Sequence, residues 1–91
     1  MSNKNQEAPH KIDFTTFVLS VSSAAFVGLG MAPHPGSGKM EVNGELARHN
    51  IDLLELIKDK TRGNLNQEEE RLLDHLLRET RVKFVEIQGR R

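Results

Sequence analysis

The sequence predicts an all-α protein of three helices. Apolar residues recur at helical spacing in three segments, a side chain suited to an N-cap precedes each segment, and stretches rich in Gly, Pro or Asn separate them. With 91 residues, the chain has room for one domain. We predict that helices 2 and 3 form an antiparallel hairpin and that helix 1, which is strongly apolar, lies at an oligomer interface.

The single helical domain is predicted to cover residues 13–88. Residues 1–12 are mostly polar and show no hydrophobic period, so we expect them to form a disordered tail, as we do residues 89–91. Within the domain, the predicted segments are helix 1 at about 14–30, a loop at 31–43, helix 2 at about 44–62 and helix 3 at about 67–88.

Helix 1 is predicted to begin at Phe14, because the carboxylate of Asp13 can accept a hydrogen bond from a free N–H in the first turn. No Lys, Arg, Asp or Glu occurs between Phe14 and Gly38. Small residues that would let another backbone approach closely are Thr16, Ser20, Ser23, Ala24 and Gly28. Apolar residues occupy more than one side of the helix: one stripe holds Phe14, Phe17, Val18, Val21, Ala24 and Ala25, while Leu19, Phe26 and Leu29 lie off it.

Helix 2 is predicted to start after Asn43 as the N-cap and to end at Arg62, with Gly63 in the left-handed conformation beyond its end. Basic residues toward that end complement the helix dipole. Its core-facing stripe is predicted to be Leu46, Ala47, Asn50, Ile51, Leu53, Leu54 and Ile57.

Helix 3 is predicted to follow a capping box in which Asn66 and Glu69 bond to each other's backbone N–H. Within this helix, Asp74 with Arg78 and Glu79 with Lys83 are spaced as i,i+4 ion pairs. The predicted apolar stripe is Leu73, Leu76, Leu77, Thr80, Phe84 and Ile87.

Self-association is predicted because two apolar stripes on helices 2 and 3 cannot cover every side of helix 1. A three-helix monomer would leave several of its side chains in water, as an apolar patch larger than soluble monomers normally expose: Val18, Leu19, Val21, Phe26 and Leu29. We expect a homodimer or a dimer of dimers, with the chain itself as partner and another protein as a further option. The expected interface residues are Phe14, Phe17, Val18, Val21, Ala24, Ala25 and Phe26.

The segments described above resemble a bacterial family of short proteins, the domain of unknown function DUF1844. The resemblance runs from about Asp13 to Val85 and rests on the strings DFTTFVLSVSSAAFVGLG, NGELARHNIDLLELIKDKTRGNL and EEERLLDHLLRETRVKFV. It implies a helical fold. It implies no activity and no site residues, because the family itself is uncharacterised.

No catalytic, cofactor or metal motif is complete in the sequence, so we expect neither enzymatic activity nor a cofactor. The stretch Gly36-Ser37-Gly38-Lys39 resembles part of a phosphate-binding loop, but the motif's first glycine would fall at Pro33 and its Ser or Thr at Met40. The four histidines, His10, His34, His49 and His75, show no i,i+4 pair that would favour a shared metal. With no cysteine, thiolate chemistry and disulfides are excluded.

Three other interpretations are open. The uncharged run 14–32 reaches the length of a short membrane span, which would make the protein a membrane-associated accessory subunit, although it holds many Ser, Thr and Gly residues. The same run has features of an export signal, but Asp13 adjoins it directly. Nucleic-acid binding is disfavoured by equal numbers of basic and acidic residues, 13 of each; its basic candidates are Arg78, Arg81, Lys83, Arg90 and Arg91. We expect a soluble cytoplasmic protein with no nucleic-acid partner.

Overall fold

The computed structural model of the protein describes residues 12–89, so the tail segments 1–11 and 90–91 lie outside the described residues. Within residues 12–89 the chain folds into three helices, α1 (Phe14–Gly28), α2 (Gly44–Lys60) and α3 (Gln67–Gly89), and no strand. The predicted all-α, three-helix fold is therefore confirmed. Gly89, expected in the C-terminal tail, is the last residue of α3.

Helix α1 begins as predicted. The Asp13 carboxylate accepts a hydrogen bond from the Thr16 N–H at 2.8 Å. The helix ends at Gly28 rather than Gly30, because Leu29 pairs with Val42 in an isolated antiparallel bridge and the Gly28 carbonyl accepts the Asn43 N–H at 2.7 Å. These two contacts join the end of α1 to the residues just before α2.

The loop between α1 and α2 closes on itself through backbone hydrogen bonds. The His34 N–H donates to the Lys39 carbonyl at 2.8 Å, and the Gly38 N–H donates to the His34 carbonyl at 2.7 Å. The His34 imidazole also takes part, since its Nδ1 accepts the Gly36 N–H at 2.9 Å. The glycines and His34 therefore form an ordered turn.

Helix α2 starts after the predicted cap, with the Asn43 side chain accepting the Leu46 N–H at 3.0 Å. It ends at Lys60, two residues before the predicted end. The Thr61 hydroxyl and backbone N–H both donate to the Ile57 carbonyl, which closes the last turn there. Gly63 has φ +79°, so its predicted left-handed conformation is confirmed. It lies three residues beyond the end of α2 instead of one.

Helix α3 starts with the predicted capping box. The Glu69 N–H donates to the Asn66 side chain at 2.8 Å, and the Glu69 carboxylate accepts the Asn66 N–H at 2.9 Å. These reciprocal bonds satisfy two backbone donors that the start of a helix leaves free.

One hydrophobic core joins all three helices and consists of Val18, Leu54, Leu73, Leu76 and Leu77. The predicted inward stripes of α2 and α3 are confirmed, since their members are buried or half-buried. The prediction for α1 needs correction: Val18 and Leu29, expected to remain exposed in a monomer, are 0% and 2% exposed. The buried stripe of α1 is Val18, Ser22, Ala25 and Gly28.

Helices α1 and α2 lie close together at Gly28. A Cβ placed on Gly28 would lie 2.8 Å from the Ala47 Cα and 3.0 Å from the Asn43 carbonyl oxygen. Gly28 was predicted to admit another backbone at close range, and the backbone that it admits is that of α2 in the same chain.

Helices α2 and α3 are joined by two ion pairs. The Lys58 ammonium lies 2.6 Å from Asp74, and the Arg81 guanidinium lies 2.7 Å from Glu55. The later of the two α2 residues thus pairs with the earlier α3 residue. On α1, one side of the helix remains exposed.

Candidate interaction surface

The uncovered side of α1 is a surface without charge, which we call the outer face of α1 and define as Thr16, Phe17, Leu19, Ser20 and Ser23. All five residues are exposed. Phe17 is 46% exposed and Leu19 is 44% exposed, so two large apolar side chains reach water. At 100° per residue, these two lie at opposite edges of the face, with the three hydroxyl residues between them. The result is an uncharged surface with a large apolar side chain at each edge.

The hydroxyl groups of α1 are partly satisfied by the helix itself. The Ser20 hydroxyl donates to the Thr16 carbonyl at 2.9 Å, and the buried Ser22 hydroxyl donates to the Leu19 carbonyl at 3.1 Å. A polar group that is already hydrogen-bonded adds less to the free-energy cost of covering a surface than an unpaired one does. Covering Ser20 with an apolar partner therefore leaves no unpaired donor there.

The seven predicted interface residues fall into three groups. Phe17 lies on the outer face. Phe14, Val21, Ala24 and Phe26 are half-buried, and of these Phe14, Val21 and Phe26 pack against the core of the same chain. Val18 and Ala25 are 0% exposed within a single chain, so they line its own core and have no surface left for a partner.

Two features of the outer face are absent from the predicted interface. Leu19 was expected to stay exposed in a monomer but is not among the predicted interface residues, and the small residues Thr16, Ser20 and Ser23 were assigned only the role of permitting close approach. The signal that would have found both is the lack of any charged residue in α1. A helix that must show one side to water normally carries charge on that side.

A cleft of about 710 Å³ lies where the last turns of α3 pass the start of α2 and the loop. Phe84, Ile87 and Leu46 form its apolar wall, and Glu41 and Glu45 stand at exposed positions along its rim. The cleft is open to solvent. It offers an apolar surface rather than an arrangement for catalysis.

The remaining candidate groups are dispersed. Lys39 and the glycines before it belong to the turn that His34 closes. His75 lies 3.9 Å from Glu79, and His49 is exposed on α2. Among residues 12–89, no three His, Asp or Glu side chains come together as a metal site would require.

Two of the five basic residues near the end of α3 have acidic neighbours in the described part of the chain. Arg81 is paired with Glu55, and Lys83 lies 3.5 Å from Glu86. Arg78 is exposed, whereas Arg90 and Arg91 lie outside the described residues. The basic residues that suggested a nucleic-acid surface therefore have acidic neighbours at two of the described positions.

Helix α1 is 15 residues long, whereas a membrane span needs about 20. In the described part of the chain, no helix combines the length and the apolarity that a bilayer crossing requires.

The chain was compared with known protein families, curated proteins and solved structures. A family model, described as a domain of unknown function (DUF1844), matches residues 11–86. No curated protein and no solved structure matches the chain. The match covers all three helices except the last residues of α3, and it includes the whole outer face of α1.

Proposed function

We propose that this chain, which belongs to the DUF1844 family of unknown function, acts as a structural or regulatory protein by associating with a second copy of itself. The observation that carries the proposal is the outer face of α1. On a chain with 26 charged residues, this face combines two apolar side chains that are nearly half exposed with a complete lack of charge. The proposed role involves no catalysis.

Covering this face would remove apolar surface from water. Full burial of a Phe or Leu side chain is worth about 1.5–3 kcal/mol, and Phe17 and Leu19 each have nearly half of their surface left to bury. In a symmetric dimer, both copies bury the same face, so the free energy gained by burying Phe17 and Leu19 is obtained from each copy. Half-buried Val21 and Ala24 lie beside Phe17 on the helix and extend the apolar area.

An antiparallel hairpin of α2 and α3 is part of the proposal. Its support is the order of the ion pairs, Lys58 with Asp74 and Glu55 with Arg81. The tight turn at Gly63 and the capping box at Asn66 begin α3 soon after α2 ends. Such a hairpin would supply two sides of the bundle and hold α1 with its outer face directed away.

Aspartate substitutions on the outer face provide the test. Phe17→Asp and Leu19→Asp should each lower the mass in solution from that of a dimer to that of a monomer, because a carboxylate in a dry interface must lose its hydration. Helix content, measured by circular dichroism, should stay at the wild-type level, since neither side chain belongs to the core. Light scattering after size-exclusion chromatography gives the mass.

Leu56→Asp is the matched control. Leu56 is 51% exposed, like Phe17 and Leu19, but it lies on α2. The control should remain dimeric. If Phe17→Asp and Leu19→Asp keep the mass of the wild-type dimer, the outer face of α1 is not where the copies meet.

A further inference from the structure

We propose that His34 is a pH-sensitive switch in the turn formed by residues 34–39. A neutral imidazole binds the Gly36 N–H and keeps the turn closed. A protonated imidazole releases Gly36, which opens the turn and changes the wall of the cleft of about 710 Å³ that His34 lines. This inference is independent of self-association, because neither the turn nor the cleft includes a residue of the outer face of α1.

His34 makes three of the four hydrogen bonds that the structure shows within the turn. Its backbone N–H donates to the Lys39 carbonyl at 2.8 Å, and its carbonyl accepts the Gly38 N–H at 2.7 Å. Its Nδ1 accepts the Gly36 N–H at 2.9 Å. The fourth bond runs from the Lys39 N–H to the Ser37 hydroxyl at 3.2 Å. The turn therefore depends on His34 more than on any other residue.

The imidazole lies directly against Gly36. A Cβ added to Gly36 would lie 3.1 Å from the ring's Cε1 and 3.2 Å from its Nδ1. Pro35, between the two residues, has no N–H, so the Gly36 N–H is the first backbone donor after His34. In many turns an Asn or Asp side chain accepts the N–H two residues further on. Here the imidazole takes that role and holds the start of the turn.

Protonation of the ring is incompatible with this bond. Nδ1 accepts a hydrogen bond only while it carries no proton, which places the proton of the neutral ring on Nε2. In an imidazolium both nitrogens are donors, so the Nδ1–H would face the Gly36 N–H with no acceptor between them. Histidine ordinarily changes charge between about pH 5 and 8, so mild acidification is the signal that such a contact detects.

Charged groups of both signs surround His34. The cleft that it lines receives Glu41 from the end of the loop and Glu45 and Arg48 from α2, and Lys39 lies in the turn itself. Helices α1 and α3 contribute only uncharged residues to this cleft: Val27, Phe84, Ile87 and Gln88. The two carboxylates would attract a protonated ring and the two cations would repel it. The hydrogen bond to Gly36 is therefore the contact that distinguishes the two charge states.

Nuclear magnetic resonance of the isotope-labelled full chain tests the switch. A coupling across the hydrogen bond should join the Gly36 amide nitrogen to His34 Nδ1 at about pH 8 and be absent at about pH 5. Protection of the Gly36 amide against hydrogen exchange should fall by about 2–10-fold over the same range, as expected for the loss of one hydrogen bond. Methyl signals of Leu46 and Ile87, in the cleft, should shift with the midpoint of the His34 ring.

His34→Asn is the matched variant, because its amide oxygen can accept the Gly36 N–H but does not titrate. Its Gly36 amide should keep one chemical shift and full protection over the whole pH range. His34→Ala has no acceptor, so its Gly36 amide should lack this protection at both ends of the range. His49→Gln is the control for titration elsewhere, since His49 is exposed on α2, and it should behave like wild type.

Two results would overturn the switch: no coupling while the His34 ring is neutral, or a coupling that survives protonation of the ring. A Gly36 amide that titrates as in wild type in both His34→Ala and His34→Asn would also overturn it, because the response would then come from another group, such as Glu41. If the turn opens while the Leu46 and Ile87 signals stay fixed, the proposed effect on the cleft is wrong. These signals report on a monomer as well as on a dimer, so failure of self-association would leave the switch standing.

Discussion

At the scale of single residues, Gly28 sets the distance between α1 and α2. Its missing Cβ would fall 2.8 Å from the Ala47 Cα, and its carbonyl accepts the Asn43 N–H that joins the two helix ends. The atoms nearest to the missing Cβ all belong to backbone, which cannot turn aside as a flexible side chain can. A larger residue here would push the helices apart.

We predict that Gly28→Ala lowers the free energy of unfolding by about 1–3 kcal/mol, the usual range for overpacking a tight contact. Urea denaturation at a fixed protein concentration measures the change. Gly44→Ala is the control, because nothing lies within 4 Å of a Cβ at that position. Gly44→Ala should keep or slightly raise stability. Equal losses for the two variants would contradict the close approach at Gly28.

At Gly63 we predict an effect with a different cause, because only the positive backbone φ angle restricts which residues fit there. Its φ is +79°, and no atom lies within 4 Å of an added Cβ. Gly63→Val should therefore lower the free energy of unfolding by about 1–2 kcal/mol, the left-handed penalty of a residue with a Cβ. Gly63→Asn should lose less, because Asn tolerates this conformation. The urea midpoints of wild type, Gly63→Asn and Gly63→Val should fall in that order. A Val variant as stable as wild type would contradict the left-handed conformation of Gly63.

The ion pairs show that the sequence alone does not determine which partner a charged residue takes. Asp74 was predicted to pair with Arg78, and Lys83 with Glu79, at helical spacing. In the structure, Asp74 pairs with Lys58 of α2, and Lys83 lies beside Glu86. Spacing along one helix identifies neighbours on that helix. It contains no information about the helix packed alongside, which offers Asp74 a closer partner.

At the scale of the helices, their starting points were predictable and the orientation of α1 was not. The three N-caps, Asp13, Asn43 and Asn66, act on N–H groups within three residues, so the local sequence determines them. The inward stripes of α2 and α3 were also predictable, because charge marks their outward sides. Helix α1 has no such mark, and the burial of Val18 and Ala25 emerges only from packing on α2 and α3.

The cap of α1 makes the start of the protein's first helix sensitive to acid. The pKa of Asp13 is lowered by the hydrogen bond from the Thr16 backbone N–H, and the Thr16 side chain adds to this effect. Because the folded pKa lies below the unfolded one, the carboxylate contributes stability that is fully present above the unfolded pKa of about 3.9. That contribution is lost as the pH falls toward the folded pKa.

The matching measurement compares wild type with Asp13→Ser, which keeps an oxygen for capping but does not titrate. We predict that the wild type's advantage in free energy of unfolding is constant above about pH 5 and shrinks as the pH falls below about 4. Urea denaturation of both proteins at a series of pH values measures this difference. Two curves that stay parallel down to the lowest pH would contradict a titrating cap at Asp13.

At the scale of the whole molecule, the three helices close a small core and leave α1 uncovered on one side. Among residues 12–89, nine hydrophobic residues are buried, and they include Ala25 of α1 and Ala47 of α2. A domain of this size is stabilised by only a few kcal/mol, so covering Phe17 and Leu19 with a second copy would add a considerable share. We therefore expect folding and self-association to be linked, with a melting temperature that rises with protein concentration.

The most direct test of self-association is the mass of the wild-type protein across a wide range of concentrations. In sedimentation equilibrium without detergent, we predict that the mass per particle approaches twice the 10.3 kDa of one chain as the concentration rises. A tetramer made of two such dimers would still be divided into dimers by dilution. A particle of 10.3 kDa at every concentration, up to the highest that stays in solution, would contradict the account.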